Sequence, residues 1–530
     1  MNEWMYRLIA AIVSAFLFGV ATRNMIGAMQ QSGYKGATFM RWLGKKGNLY
    51  FNRLAVFSLC IALLTAMTAL CFSFLGRNWA LICSSIPFFV LCLLLIVADE
   101  KYALKVPMQY THRANRLLVV YMILVAGAAY GFLELLAFLA EINGSKLYAL
   151  LQYVPFAIFP VLLPLLLCVA NFITGIFENA RNRRFVKRAG QVLNETEIIR
   201  VGVVGSYGKT SVKNIVKTLL LEKYSVVVTP ESYNTPIGVA KTVYSPEFAG
   251  KQIFIAEMGA RRTGDIKTLC EMVKPDYAIF TGVCEQHIAS FGSLDNVWAE
   301  KSEILKNGAK KVVCGESLKE QVAGFDNAVV AELSAVKNIR MEATKTAFVL
   351  CVDGEEIEVE TSLLGGAAVE NILLAVELCK ALGLTAEELK AGLSKLQPIP
   401  HRLQLLENAG VYILDDGYNC NPNGAKEAIA ALCRFEGRKC IVTPGIVEGG
   451  IIEEELNGEL GEKIAQANLD KVILVGDTLV GAVKSGYETA GGDMEKLTVC
   501  KTLAGAQELL GEWLAKGDCV LFLNDLPDVY

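Results

Sequence analysis

Apolar residues are laid out along this chain in two different ways. Up to Ile176 they form long runs separated by polar links: Leu8–Ala21, Leu54–Leu75, Trp79–Ala98, Leu117–Ala140 and Tyr148–Ile176. A helix needs roughly 20 apolar residues to cross a bilayer, and the last four runs reach that length. The first is shorter. It lacks the strongly basic start and small-residue cleavage site of a secretion signal, so it reads as a first span. Pro155, Pro160 and Pro164 in the last run predict a kinked or broken helix, because proline removes a helix hydrogen bond and clashes with the preceding turn. The pattern predicts a membrane domain over residues 1–180 with about five transmembrane helices.

From about Thr196 the pattern shortens. The β-rich runs "IIRVGVVG", "YSVVVTP", "QIFIAEMG", "DYAIFTGV" and "KKVVCG" alternate with helical stretches. That alternation predicts a parallel sheet covered by helices. After the Pro398–Pro400 segment a second set follows, "VYILDD", "RKCIVTPG", "KVILVGD" and "DCVLFLND". The expected soluble architecture is therefore an α/β domain over 196–397 and a smaller, Rossmann-like α/β domain over 398–530, with the proline segment as hinge.

Charge orients the membrane part. Basic residues collect after the first span (Arg23, Lys35, Arg41, Lys45, Lys46, Arg53), after the third (Lys101, Lys105, Arg113, Arg116) and after the fifth (Arg181, Arg183, Arg184, Lys187, Arg188). The other links, "GRNW" and "EINGSK", are nearly neutral. Lys and Arg accumulate on the cytoplasmic side, so the N-terminus is expected outside and everything after Arg181 inside. The expected location is a multi-pass protein of the cell membrane with cytoplasmic catalytic domains. With 51 basic against 54 acidic residues there is no field to attract nucleic acid, and none is expected as a partner. The 15 cysteines form no CxxC pair and there are only three histidines, which argues for reduced thiols rather than a disulfide framework or a structural zinc site.

Candidate chemistry begins at "RVGVVGSYGKTSVKN". A strand runs into Gly205-Ser206-Tyr207-Gly208-Lys209-Thr210 and then into a helix. Backbone N–H groups in such a turn cradle phosphates, helped by the helix N-terminus. Lys209 would reach the β/γ-phosphates and the Thr210 hydroxyl a Mg²⁺ ion. A standard Walker motif would carry a glycine at 203, where this chain has Val203. Two further strands end near Glu257 and His287. Ligands of α/β sheets bind at the carboxyl ends of strands, which would bring both residues to the Thr210 pocket.

These motifs resemble those of the Mur ligases, the ATP-dependent family that adds amino acids to peptidoglycan precursors, in particular its MurF-type, D-alanyl-D-alanine-adding branch. GSYGKTS, EMGA, "TGVCEQHIASFGS", "AEKSEI", His401–Arg402 and "LDDGYNCNP" carry the similarity, from about residue 196 to the end. The resemblance implies that ATP converts a carboxylate to an acyl phosphate, which an amine attacks to give an amide. Such chemistry relies on positioning and electrostatics. By resemblance, Gly205, Ser206, Gly208, Lys209, Thr210, Ser211, Asn371, Arg402 and Asp416 bind the nucleotide. Thr210, Glu257, His287 and Lys301 hold magnesium, and Lys209, His287 and Lys301 are catalytic. Lys301 matches the lysine that the family carbamylates, a reaction that needs an uncharged amine. Asn234, Asn419 and Asn421 fall to substrate. This chain departs from the family's usual residues at Tyr207 and Gly282, each commonly Asn, and at Ala367 and Ala368, commonly His-Asn. The membrane segment takes the place of the domain that usually grips UDP.

The expected function is a membrane-bound, amide-forming ligase of cell-envelope synthesis, whose partners are the lipid bilayer, an envelope precursor or lipid-linked acceptor, and an amino acid or dipeptide. In "DEKYALKVPMQYTHRANR", Arg113 and Arg116 suit the phosphates of such an acceptor. A poly-γ-glutamate or capsule-type ligase is the alternative within the class, and a nucleotide-binding membrane scaffold the alternative outside it. The joint presence of Lys209, Thr210, Glu257, His287 and Lys301 argues for an enzyme.

Overall fold

The computed structural model describes residues 3–45, 48–72, 74, 90, 108–144, 159–284, 288–418, 421–447, 450–476 and 478–523. They fall into two units, one up to Asn182 and one from Arg183 onward.

The first unit is helical: α1 (Glu3–Ala21), α2 (Arg23–Gln31), α3 (Gly36–Lys45), α4 (Asn48–Cys71), α5 (His112–Asn143) and the start of α6 (Leu163–Glu195). Phe18, Met25, Met29, Tyr121, Val125 and Leu167 share its core. On α5 the buried stripe Leu117, Tyr121, Val125, Ala129, Leu133 faces inward. The opposite face is apolar too: Ile123 and Ile142 are 64% and 68% exposed. A helix apolar all round is built to lie in an apolar surrounding. Trp4–Ala21, His112–Asn143 and Phe159–Glu195 are long and apolar enough to cross a membrane.

Three expectations meet the structure here. The run Leu54–Leu75 falls on α4, whose described apolar stretch is the shorter Ala62–Cys71, and Trp79–Ala98 lies outside the described residues; among the described residues three helices are of spanning length. Of the prolines in the last run, Pro155 lies outside the described residues, Pro160 sits in a 3-10 turn over 159–162 that leads into α6, and Pro164 is at the second position of α6, where its missing N–H has no helical partner anyway. Finally, α6 continues through the basic residues to Glu195. Its tail belongs to the second unit, with Ala189 and Leu193 in one core with Phe254 and Val273. The soluble architecture therefore starts before residue 196.

The second unit opens with a six-stranded sheet of order β2-β3-β1-β4-β5-β6. Its strands are β1 (Ile199–Val204), β2 (Val226–Val228), β3 (Ile253–Glu257), β4 (Tyr277–Phe280), β5 (Lys311–Gly315) and β6 (Ala328–Ala331). All pairings are parallel, with Val203 opposite Glu257. Both faces are covered, which is why these strands read as continuous apolar runs. On one face Val201, Val203, Ile253 and Ile255 pack with α7 (Lys209–Leu220) and, further along the chain, the helix Gly366–Ala381. On the other, Val204, Phe254 and Phe280 pack with the α6 tail, α8 (Asp265–Val273) and α9 (Leu294–Lys301).

Between β6 and α10 (Gly366–Ala381) stands a three-stranded antiparallel sheet, β7 (Val336–Met341), β8 (Thr346–Val352) and β9 (Glu355–Thr361). The alternation of strand and helix did not predict it. Its signal is the strict inward placement of Ile357, Val359 and Thr361 between exposed glutamates in β9.

The last domain has a second six-stranded sheet of order β10-β11-β15-β12-β13-β14. β10 (Gln404–Asn408) and β11 (Val411–Asp416) form an antiparallel hairpin, while β12 (Lys439–Thr443), β13 (Lys471–Val475), β14 (Leu497–Cys500) and β15 (Cys519–Leu523) run parallel to β11. Helix α11 (Pro422–Leu432) covers one face, with Ala428, Ile429 and Leu432 in the core.

Candidate active site

The turn from β1 into α7 is shaped by glycine at two places. Gly205 has φ +150° and Gly208 φ +73°, both unfavourable for other residues. A Cβ at Gly205 would strike the Thr281 hydroxyl, and one at Gly208 would lie 2.6 Å from Asn371 Oδ1. Ser206 N–H donates to Gly282 O at 2.8 Å, and the Thr281 hydroxyl donates to Tyr207 O at 2.5 Å. The loop is thus laced to the end of β4. Lys209 Nζ donates back to Gly205 O at 2.8 Å and Ser206 O at 3.1 Å, and burial holds its pKa below the usual lysine value. The buried Ser206 Oγ has no hydrogen-bond partner in the protein. An orphaned hydroxyl in a loop of N–H donors fits a phosphate oxygen.

Glu257 ends β3 and is 1% exposed. Its Oε2 accepts from the Thr210 hydroxyl at 3.0 Å and from Lys213 Nζ at 3.0 Å, and its Oε1 accepts from Asn234 Nδ2 at 3.2 Å. Among the described residues no three His, Cys, Asp or Glu side chains are placed to hold a metal ion together. The Thr210–Glu257 pair still fits Mg²⁺, which favours oxygen donors, uses few carboxylates and fills its remaining positions with water and phosphate oxygens.

Lys301 ends α9, is 1% exposed, and donates from Nζ to Gly205 O at 3.1 Å. Burial first, and then the charge of Lys209, lower its pKa to about 7. The preceding Glu300 fixes this helix end. Its carboxylate accepts from Gly264 N at 2.6 Å and Ile266 N at 2.7 Å, at the N-terminus of α8.

A cavity of about 440 Å³ lies beside the loop, lined from the first α/β domain by Tyr207, Gly208, Ser211 and Asn371, and from the last by Arg402, Asp416 and Tyr418. Arg402 stacks over the Tyr418 ring at 4.5 Å and donates from Nη1 to Tyr418 O at 2.9 Å. Asp416 Oδ1 accepts from Leu403 N–H at 3.0 Å, and burial raises its pKa to about 6. Two hydrogen bonds join the domains around the cavity. The Tyr418 hydroxyl donates to Ser232 Oγ at 2.5 Å, and Gly366 N–H donates to Glu427 Oε2 at 2.9 Å.

The expected residues Gly205, Ser206, Gly208, Lys209, Thr210, Ser211, Asn234, Glu257, Lys301, Asn371, Arg402 and Asp416 thus gather at one site. His287 and Asn419 lie outside the described residues. Asn421 also lines the cavity. It caps α11, its Oδ1 accepting from Asn423 N at 3.1 Å and Gly424 N at 3.0 Å. Arg113 and Arg116 belong to the first unit. Arg116 is paired with the buried Glu178 at 2.5 Å, which Arg181 also contacts at 2.9 Å. Arg113 stacks on the Tyr34 ring at 3.8 Å. Sequence reasoning missed Lys213, Thr281, Tyr418 and Glu427. Lys213, Thr281 and Tyr418 lie inside the quoted stretches, but their contacts come from elements remote in sequence.

Residues 203–379 match the Mur ligase middle domain, and residues 401–524 the Mur ligase glutamate ligase domain. A UDP-N-acetylmuramoyl-tripeptide–D-alanyl-D-alanine ligase of Escherichia coli is 30% identical over 298 residues, 52% of this chain and 64% of that protein. The Bacillus subtilis protein of the same name is 27% identical over 61% of this chain and 72% of its own. The chain thus spans under two thirds of the Escherichia coli relative's length. A MurF ligase from Thermotoga maritima, solved in complex with ADP, superposes with a TM-score of 0.59 at 28% identity, covering 66% of this chain and 81% of that one. A folylpolyglutamate synthase of Mycobacterium tuberculosis shares the fold, with a TM-score of 0.52 at 17% identity over 66% of this chain and 93% of its own.

Proposed function

As the chain belongs to the Mur ligase family through its domains at residues 203–379 and 401–524, we propose that it is an ATP-dependent, ADP-forming ligase that joins a carboxylate to the amine of an amino acid or dipeptide in peptidoglycan synthesis. One observation carries the reading. Lys209, Thr210, Glu257 and Lys301 converge on a glycine loop whose Ser206 hydroxyl is buried and unpartnered. The name shared by the relatives supports D-alanyl-D-alanine as the incoming dipeptide and a UDP-linked muramoyl tripeptide as acceptor chemistry.

When bound, Mg-ATP supplies the phosphoryl group that makes the acceptor carboxylate reactive. The chain's own residues do the positioning. The loop N–H groups and Ser206 receive phosphate oxygens, and Lys209, already poised among loop carbonyls, provides the cation beside them. Thr210 and Glu257 present oxygens to magnesium. Lys301, whose buried ammonium has a pKa lowered to about 7, would take up CO₂ as the uncharged amine, losing a proton, and the resulting carbamate anion could ligate a second Mg²⁺. Asn371, Arg402 and Asp416 line the nucleotide cavity from two domains, so the site is complete only when both are together.

The reading also includes attachment to the cell membrane through the N-terminal helices, with the catalytic domains cytoplasmic. Three helices of spanning length and the apolar outer face of α5 support it. The acceptor is then an envelope precursor, UDP-linked or lipid-linked.

The test is ADP release by the full chain in detergent with D-alanyl-D-alanine and each acceptor class. Lys209→Ala should lower turnover at least 100-fold, on the order of the loss when one charge-stabilising donor is removed from an active site, while the melting temperature stays near that of the wild type. Undiminished turnover in this variant would overturn the reading.

A further inference from the structure

Lys213 is a buried cation that the reaction just described does not use. It lies one turn beyond Lys209 on α7 and is 1% exposed. An ammonium has three donors, and all three are engaged: Thr229 O at 2.8 Å, Glu231 O at 2.5 Å and Glu257 Oε2 at 3.0 Å. Among the described residues it is the one cation paired with Glu257.

The two carbonyls belong to the turn between β2 and Pro236. Glu231 has φ +42°, a left-handed conformation that a side-chain-bearing residue keeps only when its surroundings hold it. The same turn supplies Asn234 to Glu257 Oε1 and Ser232 to the Tyr418 hydroxyl of the last domain. Lys213 thus ties a helix, a strand end and a turn at one point.

We propose that Lys213 is a positioning residue of the phosphate site: its ammonium holds the Glu257 carboxylate and the 229–234 turn as one body, so that Oε2 stays at the Thr210 hydroxyl while Oε1 faces Asn234. A hydroxyl and an amide alone leave a carboxylate free to turn about its last bond. A fixed ammonium, itself anchored on two carbonyls, does not. The consequence falls on the metal-dependent part of nucleotide binding, because Thr210 and Glu257 are the oxygens offered there.

The inference rests on the nucleotide reading of the loop, and the experiment separates the two. ATP binding to the full chain in detergent is measured at equilibrium with Mg²⁺ and with EDTA, alongside thermal unfolding. In the wild type Mg²⁺ should strengthen ATP binding, and absence of ATP binding there would remove the nucleotide reading and this inference with it. In Lys213→Met the gain from Mg²⁺ should shrink about tenfold or more, the usual cost of removing a group that orients a metal ligand. Affinity in EDTA should stay within about threefold, well short of that loss. A variant that melts lower yet keeps the wild-type gain from Mg²⁺ would show a merely structural lysine and overturn the proposal. If Lys213→Met does not fold, Lys213→Gln, which retains a donor for the turn carbonyls without the charge, carries the same comparison.

Discussion

The Tyr207 ring fills the space that a side chain at position 282 would need: a Cβ on Gly282 would lie 2.9 Å from Tyr207 Cε1 and closer still to the phenol carbon and oxygen. These are two of the positions at which the chain departs from the usual Mur ligase residues. The departures are one steric exchange, a large ring on the phosphate loop matched by a missing side chain on the facing strand end. Gly282→Ala should therefore destabilise the protein by about 1–3 kcal/mol, as overpacking does. The same change in a Tyr207→Ala background should cost less, what remains being the backbone strain of a side chain at φ +159°. Urea unfolding of the four members of this cycle checks the coupling, and additive effects would contradict it.

Lys301 predicts a pH dependence of stability. Its folded pKa of about 7 is below the ordinary lysine value, so between roughly pH 7 and 10.5 the unfolded chain binds the extra proton. Stability should rise with pH across that window, by on the order of 5 kcal/mol if Lys301 alone contributes. Lys301→Met should remove the slope in CO₂-free buffer. In turnover assays Lys301→Ala should lose activity and regain part of it with added short carboxylates, whereas Lys301→Arg should stay inactive, since a guanidinium keeps its proton.

Asp416 gives the opposite sign at lower pH. Burial raises its pKa to about 6, so the folded protein holds a proton that the unfolded chain releases near pH 4. Its contribution is most favourable below pH 4 and declines by about 3 kcal/mol as pH rises to 6. Asp416→Asn should flatten this part of the stability profile. An unchanged profile would place the carboxyl in water.

Membrane attachment predicts that the full chain stays with the membrane fraction after alkaline carbonate washing. Reporter fusions after Gly144 should read extracytoplasmic, and those after Ala180 cytoplasmic. A cytoplasmic reading at Gly144 would break the orientation drawn from the basic segments.

Much of this protein is written locally. The strands β1 to β5 show as apolar runs because a sheet covered on both faces buries every side chain of a strand. The phosphate loop shows because glycines are required where Thr281 and Asn371 press against it. Long apolar helices show by length alone. What the sequence left open depends on distance in the chain. That Pro164 leaves α6 intact depends on where the helix begins, and that Asn421 caps a helix depends on where α11 starts. That Arg116 is paired with Glu178, 62 residues away, and that Lys213 meets Glu257 across 44 residues follow only from the fold. The pKa of Lys301 is set by burial against a loop 96 residues earlier. Residue type and spacing decide which groups a segment can offer. Burial and the partners of each charge are fixed only when remote segments close on one another, and those set what the groups do.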